Sequence, residues 1–209
     1  MKDPSRCLHP GVDKSRERTS WALPFLFLAG LAIAPSPAAA SVSVALSVDD
    51  LARDAAVVAR VVPTAQTSRW EDGRITTTTR VRIDRLVAGR AVGEDVDVTT
   101  LGGIVGEVGQ AVDGEARFTV GAPAIVFLRR RADARFDVAG RAQGQLVVAR
   151  AKGGDEIVRL RGIGKLVARA EKGPVAPVPA AALVTALDGR SANEVEVAAA
   201  RAWERTHAR

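Results

Sequence analysis

The chain of 209 residues has no tyrosine, one cysteine and two histidines, and only 4% of it is aromatic. One cysteine supplies neither a disulfide framework nor a thiolate metal site. Two histidines leave little for imidazole-based acid–base chemistry. Lysine is also scarce: beyond residue 40 only Lys152, Lys165 and Lys172 occur. What is abundant is aliphatic. The hydrophobic class makes up 47% and charged residues 26%, too apolar a balance for a disordered chain. The length fits one domain with an appendage.

The first forty residues read as an export signal. Lys2, Arg6, Lys14, Arg16 and Arg18 make a basic start, and WALPFLFLAGLAIA (residues 21–34) is an apolar run. Pro35-Ser36-Pro37 breaks it, and Ala38-Ala39-Ala40 offers small residues to a signal peptidase. The run is shorter than the ~20 apolar residues of a spanning helix. Cleavage after Ala40, with Ala38 and Ala40 as the recognition pair, is expected, and with it bacterial export to the periplasm or outside. No transmembrane segment is expected in the mature chain. Removing residues 1–40 also removes Cys7 and His9, leaving His207 as the one histidine. The net charge of +6 falls to +4, with 25 basic and 21 acidic residues. A small excess carried by arginine speaks to non-specific association rather than to fold.

Ser47 to Asp54 has the composition of a short helix, with Ser47 as N-cap and Asp49 and Asp50 at its positive end. Ala55 to Val62 reads as a strand stopped by Pro63. Arg74 to Val87 alternates: Ile75, Thr77, Thr79, Val81 and Ile83 share one face. Trp70-Glu71-Asp72-Gly73 is a turn, making Thr67 to Trp70 a short hairpin partner. Glu94 to Leu101 alternates through Val96 and Val98. Residues 102–121, rich in glycine, read as a long loop with an internal hairpin, a tight turn at Asp113-Gly114 and a short strand over Ala116 to Val120. Further strands are expected at Ala124–Arg129, Ala134–Val138, Gln145–Arg150 and Glu156–Arg161, the last two forming a hairpin. Lys172 to Pro179 is a proline-rich linker. Ala180 to Leu187 is helix-prone. Ser191 opens a final helix with Glu194 at capping-box spacing, and Val195, Ala198, Ala199 and Ala202 line its apolar stripe.

The pattern is mainly β: a small antiparallel barrel or sandwich of about seven or eight short strands, with a short N-terminal helix and a C-terminal helical tail. Expected boundaries are 1–40 for the signal, 41–171 for the β-domain, and 172–209 for linker and tail. The core candidates are Leu51, Val57, Val61, Ile75, Val81, Ile83, Val96, Val98, Ile125, Phe127, Leu146 and Val148.

Leu51, Ala55 and Val57-Val58, then Trp70, Thr76 to Val81, Gly102-Gly103, Phe118, Gly121, Phe127-Leu128 and Gly140-x-x-Gln143-Gly144, form an ordered set. Over residues 47–150 this set resembles a group of uncharacterised exported bacterial proteins with an N-terminal helix and a small β-barrel-like domain. In outline it is similar to OB-type and netrin-like domains. The resemblance implies shape more than activity. The cysteine-dependent inhibition known for such domains has no counterpart here, because the mature chain has no cysteine.

Few constellations carry chemistry. A Ser-His-acid triad would need His207, near the chain end. Asp95 with Asp97, and Asp113 with Glu115, are the acid pairs, and solvated surface acids are their expected role. The Asp113-Gly114-Glu115 segment lacks EF-hand spacing. The glycine-rich loop lacks the phosphate-loop pattern. Arg129-Arg130-Arg131 marks a strand end. The ligand-binding candidates are Trp70 with Arg80 and Arg82, an aromatic beside a basic strand face. Nucleic acid is not expected, since Phe118, Phe127 and Phe136 read as core and leave no stacking platform. The expected function is a non-enzymatic exported binding module without metal or cofactor, directed at an exported protein or an anionic envelope component. The alternatives are a regulator or inhibitor of an exported protease and a carboxylate-dependent hydrolase.

Overall fold

Period-two apolar runs become strands, and those buried on both sides build the centre of the molecule. The structure, a computed structural model, describes residues 42–167 and 179–208. The expected signal segment with Ala38 and Ala40, and residues 172–178 of the expected linker, lie outside the described residues. In chain order the elements are β1 (Val42–Val44), α1 (Val48–Asp54), β2 (Val57–Glu71), β3 (Arg74–Gly89), β4 (Asp95–Leu101), β5 (Gly103–Val105) and β6 (Val108–Gln110). Then come β7 (Ala124–Arg130), β8 (Phe136–Val138), β9 (Gln145–Arg150), β10 (Glu156–Leu160), β11 (Lys165–Val167) and α2 (Ala192–His207).

The protein is mainly β and contains a closed barrel. Strands run in the order β10-β9-β7-β2-β3-β4-β8, and β7 also pairs with β8, so β7-β2-β3-β4-β8 forms a five-stranded ring. β9 occupies the first part of the free edge of β7 (Ala124↔Val147) and β8 the last part (Arg130↔Phe136). The ring closes at its weakest joint: β4 and β8 are parallel and share one pairing, Val98↔Phe136.

Two apolar layers follow from strand alternation. Ala124, Val126 and Leu128 of β7 join Val57, Val61, Val81 and Val98 inside the barrel. Ile125 and Phe127 face the other way and join Val58, Leu51, Leu146, Val195, Ala199 and Ala202 beneath the helices. A strand covered on both faces reads as a continuous apolar run, as AIVFL does. α2 meets this layer with Ala192, Val195, Ala199 and Ala202, small residues that allow close approach. α2 is therefore built into the outer core. Of the expected core positions, Ile83 alone is half-buried; the others are buried.

Several expectations are corrected. β2 does not stop at Pro63 but runs on to Glu71, absorbing the separate Thr67–Trp70 strand. The ladder shifts register between Pro63 and Ala65, and pairing to β7 ends at Val61, so the missing proline N–H falls at a bulge. Ala116 to Val120 is not a strand. Side-chain amides replace its ladder: Gln145 accepts from Arg117 N at 2.8 Å and donates to Arg117 O at 2.9 Å, while Gln66 donates to Phe118 O at 3.0 Å. Residues 180–187 form two 3-10 turns rather than an α-helix. Ser191 makes no capping bond, since it is bridged to Ile157 at the sheet edge. The capping box does form at α1, where Ser47 and Asp50 bond reciprocally. The pairs β1–β11 and β5–β6 bring the strands to more than the seven or eight expected.

Candidate functional site

The ligand-binding candidates read from the sequence do not converge. The Asp72-Gly73 turn pairs Trp70 with Ile75, and the same register pairs Arg80 with Ala65 and Arg82 with Val62. Successive residues face opposite sides of a strand, so Trp70 shares the side of Ile75 while Arg80 and Arg82 lie on the other. Arg80 is already engaged with Asp97 at 3.1 Å, which raises its pKa further. Arg82 is exposed, and Trp70 is 53% exposed at the hairpin tip.

Two concave regions lie elsewhere. One sits beneath the β5–β6 hairpin, with a volume of about 540 Å³ and walls that include Gln66, Ser68, Thr77, Ile104 and Phe118. Its polar floor is internally satisfied. Ser68 and Thr77 share a hydrogen bond of 2.8 Å, Thr77 donates to Gly102 O at 2.6 Å, and Gln66 donates to Thr79 at 3.1 Å. Gly103 (φ 137°) crosses directly over this hydroxyl pair, and a Cβ there would collide with Thr77 Oγ1 and Ser68 Oγ. Gly103→Ala is expected to cost more than about 1 kcal/mol and to speed amide exchange across β5 and β6. Unchanged protection in hydrogen exchange would refute this packing.

The second region follows the closure seam. It has a volume of about 300 Å³ and is bordered by the β2–β3 tip, the end of β4, the end of β7, β8 and the loop before β7. Here the ladder between β4 and β8 is one pairing long, so the ring opens beside it. Four acids and four arginines border the cleft: Glu71, Asp72, Glu115 and Asp137 with Arg74, Arg129, Arg131 and Arg141. Asp137 is taken at both oxygens by Arg129, each at 2.9 Å, and Asp54 also bonds Arg129 at 3.2 Å. Glu71 accepts from Thr76 at 2.9 Å and Arg69 at 3.1 Å, which hold its carboxyl below the usual range.

Glu115 is the exception among the acids. It is 7% exposed, accepts from Ala116 N at 3.3 Å, is met by the backbone of Leu101, and lies 3.7 Å from Arg141 Nε. Burial raises its pKa, opposed by Arg141 and aided by Asp137. A carboxyl whose pKa is raised on folding favours the fold below the ordinary carboxylate range, and that contribution is lost as pH rises through the raised value. Glu115→Gln removes this dependence. Its stability relative to the parent is expected to improve from acid to neutral pH, which urea titrations at several pH values would reveal. A constant difference would show that Glu115 ionises freely in the fold.

The sequence does not mark this cleft: Glu115 reads there as a solvated acid and Arg129 to Arg131 as a strand end, and no pattern singles out Arg74, Thr99 or Arg141. The signals were faint: an acid following Asp113-Gly114, and an arginine following Gly140. Among the described residues no three His, Cys, Asp or Glu side chains gather to hold a metal ion. No helix there is long and apolar enough to cross a membrane. No protein-family model matches the chain, and a search of curated proteins finds no match.

Proposed function

We propose that this chain is an exported, non-enzymatic binding module of the bacterial envelope or extracellular space, and that the seam cleft is the surface that meets its ligand. The basic start, the apolar run and Ala38-Ala39-Ala40 support export. The observation that carries the binding role is a set of polar groups with hydrogen-bonding capacity to spare in one cleft: Arg74, Arg131 and Arg141, the last two held only by ion pairs of 3.4 and 3.7 Å, and the buried hydroxyl of Thr99. A concave site with a few convergent polar groups is the usual form of a ligand pocket. The partner is an anionic envelope component or an exported protein presenting an anionic group. Retention of the purified protein on envelope extracts tests this. Salt-sensitive retention, weakened in Arg131→Gln but not in Arg82→Gln, is the expected result. Equal retention of the two variants would contradict it.

One observation favours a second reading, a carboxylate-dependent hydrolase. Glu115 and Asp137 border the same cleft, and burial favours the protonated form of Glu115, as a general acid requires. Turnover of a hydrolase substrate panel that disappears in Glu115→Gln would replace the binding role with this one. No turnover by the parent protein leaves the binding role in place.

A further inference from the structure

We propose that the seam cleft binds a compact oxyanion, a carboxylate or a phosphoryl or sulfuryl group, through Arg74, Arg131, Arg141 and Thr99, and takes up a proton at Glu115 as it does so. This rests on the cleft being the ligand surface and specifies what the ligand must present.

Of the four acids, Asp137 and Glu71 are committed to Arg129, Thr76 and Arg69. That leaves Asp72, which is exposed, and Glu115. Of the four arginines, Arg129 is committed to Asp137 and Asp54. Arg131 Nε is buried without a hydrogen-bond partner, its nearest carboxylate being Asp133 at 3.4 Å. Arg141 reaches Glu115 at 3.7 Å, too far for a hydrogen bond. Arg74 has no ion pair among the described residues. Thr99, 6% exposed, has a hydroxyl with no partner. Arg131 Nε and the Thr99 hydroxyl are therefore the two buried donors of the cleft without an acceptor, while Arg74 and Arg141 are exposed guanidiniums at its rim. Buried polar groups are normally satisfied, and a planar or tetrahedral oxyanion satisfies guanidinium donors well. The volume of about 300 Å³ suits one such group and its immediate attachment.

Backbone geometry shapes the rim of the cleft. Only Asp72 (49°), Ala134 (64°) and Arg141 (54°) among the described non-glycine residues have positive φ, and Asp72 and Arg141 both border this cleft. At Asp72 the positive φ is what the two-residue Asp72-Gly73 hairpin turn requires. In Arg141 the strained backbone sets a guanidinium beside the buried carboxyl of Glu115.

Proton coupling follows from charge. The groups around Glu115 are Arg141 on the turn after β8, Asp137 on β8, and Arg129 and Arg131 at the end of β7. The β2–β3 tip adds Glu71, Asp72 and Arg74, and Asp113 precedes Glu115 on its own loop. An anion entering among them makes the ionised form of Glu115 less favourable. Protonated, Glu115 becomes a donor to the anion rather than a repelling charge. Binding therefore strengthens as pH falls through the carboxyl's value in the fold, and by linkage the anion raises that value.

The test is isothermal titration of the purified full chain with sodium sulfate and, separately, sodium acetate. Ionic strength is held constant at about pH 5.5 and about pH 7.5, in buffers of different ionisation heat; sulfate does not titrate in this range, and acetate is mostly ionised. Tighter binding at the lower pH is expected, with a buffer-dependent heat that reports proton uptake. Which anion binds tighter tells whether the natural group is sulfuryl- or phosphoryl-like or a carboxylate. Arg74→Gln and Arg131→Gln should each weaken binding by about tenfold. Glu115→Gln should bind while losing both the pH dependence and the buffer-dependent heat. If Glu115→Gln does not fold, Arg141→Gln serves instead: losing the cation that favours ionised Glu115 moves the pH midpoint upward. Absence of binding by both anions, or a pH dependence that persists in Glu115→Gln, overturns the proposal. If envelope retention is still lost in Arg131→Gln, the cleft remains the ligand surface and only the oxyanion assignment falls.

Discussion

Truncating Phe127 to alanine is expected to destabilise the fold by about 3–5 kcal/mol, the range for a fully buried aromatic. Phe127 is completely buried, stands opposite Val58 on β2, and belongs to the layer that α1 and α2 cover. That layer cannot collapse around the void easily, because one wall is a ladder shared by β2, β7 and β9. For a domain of this size the loss corresponds to a fall in Tm of roughly 10 °C. Trp70→Ala, a larger truncation at an exposed tip, should stay within about 0.5 kcal/mol. Denaturant unfolding of both variants checks this. A cost below about 1 kcal/mol for Phe127→Ala would mean that the helices do not pack on this face.

The second large effect concerns Arg60, which stands on the same outer face of β2 but is charged. Its guanidinium bonds Glu156 on β10 at 2.7 and 2.8 Å, and lies 3.3 Å from Asp84 on β3 and 3.8 Å from Glu196 on α2. Glu196 is nearly buried and also bonds Arg85 at 2.8 Å. One cation thus ties two sheet strands and the last helix to β2. Arg60→Ala removes both bonds to Glu156 and leaves Arg85 as the remaining cation beside Glu196, and a cost of about 1–3 kcal/mol is expected. Replacing Arg60 by Met and Glu196 by Leu together removes the charges as well as the bond and should recover much of that loss. The effect carries a pH signature. The hydrogen bond from Arg60 holds Glu156 below the usual carboxylate range, so its contribution is present at neutral pH and is lost as pH falls through that depressed value. The gap between Arg60→Ala and the parent should therefore narrow in acid. A double variant no more stable than Arg60→Ala would show that the loss comes from the bonds to Glu156 and not from the charge of Glu196.

The barrel strands were legible because their chemistry is local. The Ile75, Thr79 and Val81 side of β3 is visible as a period of two, and the unbroken AIVFL of β7 announces burial on both faces. Pro63 misled, since its breaking effect assumes a regular ladder, whereas the register shift beside it removes the need for its N–H. The Ala116–Val120 segment misled for the opposite reason. Its apolar alternation is that of a strand, but distant glutamines satisfy the backbone in place of a ladder.

The site was less legible, and for two kinds of reason. The division of Trp70 from Arg80 and Arg82 was available by counting outward from Asp72-Gly73, which sets Trp70 against Ile75 and Arg80 against Ala65. The seam cleft was not available in that way. It depends on a single non-local parallel pairing, Val98↔Phe136, which no periodicity encodes. Which members of the Arg129–Arg131 run remain uncommitted depends on Asp54 and Asp137, brought to Arg129 from α1's end and from β8. Burial of Glu115 likewise comes from the surrounding strand ends rather than from its neighbours in the chain.

The most direct measurement of the central claim, that the seam cleft meets its ligand through an oxyanion held by its arginines, is a ¹H–¹⁵N NMR titration of the protein with sodium sulfate. The expected result is saturable amide shifts at Asp72 to Arg74, Thr99 to Leu101, Glu115, Arg131 and Arg141, with the midpoint moved to about tenfold higher sulfate in Arg131→Gln. Shifts centred instead on Ala65, Arg80 and Arg82, or weak non-saturating shifts scattered over every exposed arginine, would contradict it.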